Sequence, residues 1–458
     1  MLGPPRRMVI VAAIAFFLIA SLWFNLERLE KTSIGSKIGD RINTFHGATS
    51  RRPAPVQQFF EQVFSVEKPA PYPFPAIKYT CDNTKWDPEL KDVYLQCGHM
   101  FAGMTSIISQ VKVCMKMAME TGVNIILPSM PLRDSKDLKE FNFMNGDAYM
   151  TYDKWFDADH LIESMGRACP NVKILHPDQL GQDKIVVKHE WEIDVGKAPG
   201  YRQFNSHFWA GRPFKQFFDE EYAKLVAAAP KDGVAGITSI KIASLFLLFR
   251  ITDDPTGRDL KLWNDFSLLI RFLEPPRKIA NQLLSQIARP FYGVHFRVEN
   301  DTIWSSLEIQ LKQDLDALDQ AWEQFRTDVA PTAQPPKKPL VYLACGDENQ
   351  MAKFIEAGSE RGWDVTHKWA LARSHSDTST LQMIDALAFD FQGAVDMGVM
   401  VQSSFFLGIS GSAFSSSVAN ARDVTGRYRG SSFTSFDDEG ARSHLFNDGD
   451  ASSYACCL

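Results

Sequence analysis

The second half of this chain alternates short apolar runs with stretches of helical periodicity, and that alternation limits the fold more than any other feature. Residues 291–298, 340–344, 363–367 and 405–409 read as strands, while 304–329, 347–360 and 381–400 carry a helical repeat. Strands separated by helices at this spacing predict a doubly wound parallel α/β sheet. The same grammar appears earlier. Val93-Tyr94-Leu95-Gln96-Cys97 reads as a strand, 98–103 as a loop, 104–120 as a helix and 123–128 as the next strand. That is one βαβ unit, whose crossover is expected to be right-handed. With 458 residues, 45% of them hydrophobic, the chain is long enough for two such cores. The expected organisation is one α/β domain over 77–275 and a second over 276–430.

The flanks read differently. Residues 8–24 are apolar apart from Ser21 and follow Arg6-Arg7. As a helix they would span roughly 25 Å, close to the thinner membranes of the early secretory pathway. The positive charges on the near side predict a cytoplasmic amino terminus and a lumenal body. Residues 1–30 are therefore assigned to a cytoplasmic tail and signal-anchor helix, with a cleaved signal peptide as the rival. Residues 31–76, broken by Pro53, Pro55, Pro69, Pro71, Pro73 and Pro75, read as a stem. Residues 431–458 are polar and serine-rich and are expected to be disordered. A net charge of −6 argues against nucleic-acid binding. The seven cysteines show no metal-type spacing. In a lumenal body they can pair, Cys81 with Cys97 or Cys169 with one of the others, and the connectivity stays open.

Two motifs carry chemistry. In Gly293-Val294-His295-Phe296-Arg297-Val298-Glu299, period-two alternation puts Val294, Phe296 and Val298 on one face and His295 and Arg297 on the other. The strand delivers both ionisable groups to its carboxyl end, where open α/β sheets bind ligands, and the planar arginine fork suits a phosphate. Glu299 and Asp301 lie just beyond, with Glu299 the chosen general base. The second motif, Gly408-Ile409-Ser410-Gly411-Ser412-Ala413-Phe414-Ser415, places small residues at a strand-to-helix junction. Free amides, the helix dipole and serine hydroxyls make such a junction an anion site. Upstream, Asp390 and Asp396 offer carboxylates to a purine or ribose. The loop from Gly98 to Gly103 stands where a phosphate loop would stand but lacks GxGxxG, which disfavours a dinucleotide oxidoreductase. The triplet Asp157-Ala158-Asp159 leads into a helix, where capping is favoured over metal binding.

Taken in order, the His-x-Arg strand, Val341-Tyr342-Leu343-Ala344-Cys345-Gly346-Asp347, the helix bearing aspartates and Phe406-Leu407-Gly408 running into Ser412-Ala413-Phe414-Ser415 resemble the protein O-fucosyltransferase-like family. The resemblance is best over 292–422, looser over 94–169, and nearest the divergent fungal members, whose strand reads His-x-Arg-x-Glu. It implies a GT-B fold, two Rossmann-like domains facing a central cleft. It also implies inverting, metal-independent transfer of fucose from GDP-fucose to a hydroxyl of a protein or glycan acceptor, with no cofactor. In that scheme Arg297 holds the β-phosphate, His295 orients the donor, Ser412, Ala413, Phe414 and Ser415 grip the diphosphate, and Asp390 or Asp396 meets the guanine. Gly98 and Gly103 face the sugar nucleotide. A single-pass type II protein of the Golgi or endoplasmic reticulum membrane fits the family. Ala413 stands where a hydroxyl residue is common there, and the 98–103 loop lacks the Gly-Arg-Phe-Gly-Asn pattern. These departures leave an alternative, a catalytically inactive lumenal nucleotide-sugar or glycan-binding protein of the same fold.

Overall fold

The computed structural model of the protein describes residues 54–98, 100, 102–132, 149–181, 184–197, 213–230, 235–243, 257–287, 290–298, 306–329, 337–374, 378–409, 412–422 and 442–446. All belong to the second of two compact units, Arg52–Leu458. The expected signal anchor lies outside the described residues, and so does Glu299. Among the described residues no helix is long and apolar enough to cross a membrane.

The first sheet takes β1 (Val93–Gly98), β2 (Asn124–Ile126), β5 (Ile174–Leu175), β6 (Val187–Ile193) and β7 (Ile237–Ala243) in the order β5-β2-β1-β7-β6. All its pairings are parallel. A small antiparallel ribbon, β3 (Ser129–Pro131) with β4 (Tyr149–Thr151), stands beside it. The second sheet takes β8 (Phe291–His295), β9 (Leu340–Ala344), β10 (Asp364–Thr366), β11 (Phe405–Ile409) and β12 (Ser443–Phe446) in the order β10-β9-β8-β11-β12. It too is parallel throughout. The α/β class with parallel sheets is thus as the alternation predicts.

The helices in chain order are α1 (Ala54–Phe64), α2 (Pro75–Asn83), α3 (Met104–Thr121), α4 (Ala158–Ala168), α5 (Pro213–Ala228), α6 (Arg258–Leu269), α7 (Glu274–Gln286), α8 (Leu307–Val329), α9 (Glu348–Glu360), α10 (Lys368–Ser374), α11 (Ser379–Asp385), α12 (Phe389–Val401) and α13 (Ala413–Arg422). Burial follows the strand alternation. Tyr292, Val294 and Phe296 join Leu343, Phe405 and Leu407 in a core with Leu318 and Trp322 of α8 and Phe354 of α9. Residues on the opposite face, Phe291, Tyr342 and Phe406, join a larger core that also takes in Leu95 and Ile240 of the first sheet. Helices therefore cover both faces of the second sheet, as an all-parallel sheet requires.

Several expectations are corrected. The stem reading fails from residue 54 onward. Val56, Phe59, Val63 and Phe64 of α1 are buried, and the Phe64 ring lies 5.0 Å from that of Phe272. Gly398 of α12 leaves the room, because a Cβ there would meet the Phe64 ring at 2.8 Å. The chain after α1 is held by Arg271, which donates to the carbonyls of Gln62 at 2.8 Å and of Ser65 at 2.6 Å. The prolines mark irregular but packed backbone. The single helix over 381–400 is two, because Ala388 is extended at the start of α12. The tail contributes β12, with Leu445 buried and the buried guanidinium of Arg422 donating to Ser443 Oγ at 3.1 Å. Cys81 pairs with Cys169 rather than Cys97. Cys97 pairs with Cys114, fastening the end of β1 to α3.

Candidate functional site

In the second sheet the connections leave in opposite directions from a central pair of strands. That pair is β8 and β11, since β8 leads to β9 on one side and β11 to β12 on the other. Such switch points open a crevice at the carboxyl ends of the strands, the standard position of ligands in open α/β folds. His295 is the last residue of β8, and α13 begins four residues after β11 ends. The loop carrying Gly98 and Gly103 follows β1. The His-x-Arg strand and the Ser/Gly turn singled out in the sequence thus both fall at the β8/β11 switch point.

The pairing at the β8/β11 crevice is direct. His295 is buried, and its Nδ1 lies 2.7 Å from Ser415 Oγ. That hydroxyl also accepts from the Ile409 N–H at 3.1 Å, which fixes it beside the imidazole. Burial first, and the charge of Arg297 second, hold the imidazole down to about 3. The ring is neutral at physiological pH. The Phe414 ring packs on it at 4.6 Å between centroids. Ser412 is the cap of α13: its Oγ accepts from the Ser415 N–H at 3.4 Å. The first two helical amides, those of Ala413 and Phe414, make no hydrogen bond among the described residues. The cluster therefore presents helix-terminal N–H groups and a neutral imidazole beside the chain of Arg297.

Gly408 explains how Ser415 comes so close. A Cβ there would overlap the Ser415 hydroxyl and lie 2.8 Å from its Cβ. Gly408→Ala is expected to push Ser415 off His295 and to cost about 1–3 kcal/mol of stability by overpacking. Urea denaturation checks this, and a variant as stable as the parent would show that the contact is dispensable.

Arg297 is half-buried, and its backbone is clasped by a residue the sequence reading passed over. Gln310 of α8, its carboxamide oriented to satisfy both groups, accepts from the Arg297 N–H at 2.8 Å and donates to the Arg297 carbonyl at 3.1 Å. One turn along, Asp314 is fully buried, and burial pushes its carboxyl well up, favouring the neutral acid. A signal did exist. Residues 310 and 314 continue the stripe of Ala317 and Ala321, so polar groups occupy core-facing positions of an amphipathic helix.

The remaining candidates separate. Asp390, in the first turn of α12, accepts from the Met104 N–H at 3.0 Å. It caps α3 in place of Gly103, whose position offers no side-chain cap. Beside it Ala102 takes a left-handed φ of 75°, strain of the kind found at functional turns. A Cβ on Gly98 would meet open space. Since α3 packs against both α12 and α13, the helix that follows β1 lies beside the helix that follows the β8/β11 switch point. Asp396 is different. It is buried, with Oδ1 accepting from Tyr342 Oη at 2.6 Å and Oδ2 from Lys368 Nζ at 2.7 Å. Both oxygens serve the interior, which corrects its assignment to the guanine. Asp157 caps α4, accepting from the His160 N–H at 3.0 Å. Among the described residues no three His, Cys, Asp or Glu side chains gather in a metal-binding group.

No protein-family profile matches the chain, and no curated protein matches it in sequence. Solved structures with similar architecture include POFUT1 in complex with GDP-fucose, at 12% identity and a TM-score of 0.43, covering 79% of this chain and 99% of that one. POFUT1 in complex with GDP matches at 13% identity and a TM-score of 0.41, with the same coverage. The fucosyltransferase NodZ from Bradyrhizobium matches at 12% identity and a TM-score of 0.36, covering 70% of this chain and 90% of that one. Likenesses this distant say nothing about what this chain binds.

Proposed function

We propose that the protein is a glycosyltransferase that moves fucose from GDP-fucose to a hydroxyl of a protein or glycan acceptor, with inversion and without a metal. The observation that carries the reading is the His295–Ser415 pair, which joins the end of β8 to the first turn of α13 across the switch point of the second sheet. A diphosphate seated there takes the Ala413 and Phe414 amides, the Ser412 hydroxyl and the Arg297 guanidinium. The neutral His295 ring orients the donor. As the acceptor oxygen attacks the anomeric carbon, charge builds on the departing GDP, and these fixed donors stabilise it. Asp390 holds the amino end of α3 against α12, keeping Gly98 and Gly103 beside the donor. Glu299 is the proposed base for the acceptor proton.

A single-pass type II protein with a lumenal body in the Golgi or endoplasmic reticulum belongs to the same reading. The apolar run at 8–24 behind Arg6-Arg7 and the disulfides Cys81–Cys169 and Cys97–Cys114 support it, because such bonds persist in oxidising compartments.

Calorimetry with GDP and GDP-fucose, in the presence of a metal chelator, tests the donor site. Micromolar binding of both is expected, followed by slow donor hydrolysis. Binding without any turnover on any acceptor would favour the nucleotide-binding alternative, and no binding to either nucleotide would overturn both.

A further inference from the structure

Away from the switch point, helices α1, α2, α3, α6, α12 and α13 surround a cavity of about 690 Å³. None of the proposed donor-site residues lines it. The volume falls within the roughly 300–1,000 Å³ of small-molecule pockets. Most of its wall is apolar: Phe59 of α1, Ile108 of α3, Leu268 of α6, Met397 of α12 and Phe272, just before α7, all contribute. That composition suits an apolar body.

The charged groups on the wall have a bias. Lys112 comes from α3, with its ammonium hydrogen-bonded to Ser267 Oγ and 5.0 Å from the Trp263 ring. Arg258 and the exposed Lys261 come from the first turn of α6. Against these cations the described wall holds one carboxylate, Asp265. Its Oδ2 accepts from the N–H groups of Ala76 at 2.7 Å and Ile77 at 3.1 Å. Asp265 therefore caps α2, whose own cap residue Phe74 offers no side-chain hydrogen bond. Asp265 is committed to the scaffold and Arg258 pairs with the buried Asp259 at 3.5 Å, while the wall itself carries Lys112, Arg258 and Lys261 against that one carboxylate.

The wall also includes a polar group without a match. Asn420 of α13 lines the cavity at 8% exposure, and its Oδ1 has no hydrogen-bond partner among the described residues. A buried acceptor left alone costs about 1–3 kcal/mol, and a rotation of the carboxamide offers that oxygen to a guest with an N–H or O–H.

We propose that this cavity is a binding site for a small amphiphilic monoanion, an apolar chain with a carboxylate head and one hydrogen-bond donor close to it. The apolar wall takes the chain, the cations of α3 and α6 take the carboxylate, and Asn420 takes the donor.

N-Decanoylglycine has all three features, and its methyl ester lacks only the charge. Calorimetry uses the full chain in phosphatidylcholine nanodiscs, with empty discs as the blank. One site is expected for the acid, with the ester weaker by about tenfold or more. Lys261→Glu alters an exposed side chain and is expected to weaken the acid severalfold with the melting temperature unchanged. Ser417→Trp grows a ring into the cavity and is expected to abolish binding of acid and ester alike. Equal affinity for acid and ester would overturn the anionic head. Binding of the acid unchanged in both variants, or no binding to the parent protein, would overturn the site.

Discussion

Arg297→Ala is expected to reduce fucose transfer by about a hundredfold or more, the usual loss when one preorganised donor to developing charge is removed. The protein should stay folded. The packing of this strand comes from Val294 and Phe296 on the far face, and the Arg297 backbone is held by Gln310 whatever the side chain. Arg297→Lys separates charge from geometry. An ammonium keeps the charge but loses the two-pronged fork, so partial activity is expected, between the alanine variant and the parent. Initial rates from GDP-fucose, alongside a thermal melt of each variant, make the comparison. A folded alanine variant that turns over at the parent rate would remove Arg297 from the mechanism. One consequence for His295 can be read in the same variant. The arginine charge adds to burial in holding the imidazole down, so its removal should raise the His295 pKa and bring its titration closer to neutral pH.

What was legible in the sequence followed from local pattern. Strands at 340–344 and 405–409 are uninterrupted apolar runs, and β9 and β11 occupy those residues. The His295/Arg297 alternation was readable because a strand has a period of two and its buried face is uniformly apolar. The Ser/Gly turn before α13 was readable because caps have a short-range code. Readings failed where the partner is distant in sequence. Asp390 and Asp396 sit on one helix six residues apart and look alike in the chain. One meets the Met104 amide, 286 residues away, and the other meets Tyr342 and Lys368. No periodicity tells a capping carboxylate from a buried one or from one that meets a ligand. The proline-bearing stretch before residue 76 misled for a related reason. Its composition suits a linker, whereas its burial depends on the pocket that Gly398 opens for Phe64. In the tail, four residues of β12 gain order from the free edge of β11, an opportunity that the tail's own composition does not announce.

The interior cluster of α10, α12 and β9 gives the other large effect. Lys368→Met would leave Asp396 buried with one hydrogen bond, from Tyr342, in place of an ion pair. Breaking a buried pair by removing one partner costs about 3–5 kcal/mol, because the remaining charge has lost its solvent and its counter-ion together. Lys368 also lies 3.9 Å from the Trp369 ring, so some cation–π attraction is lost with it. Changing all three groups together, Lys368→Met with Asp396→Leu and Tyr342→Phe, leaves no buried polar group unmatched, and most of the lost stability should return. Urea denaturation of the single and triple variants measures both steps. Nucleotide binding then decides what Asp396 is for. If it serves only the interior, the triple variant binds GDP as the parent does. A triple variant that is fully stable yet has lost GDP would place Asp396 back at the guanine, and the buried geometry would then belong to a protein waiting for its donor.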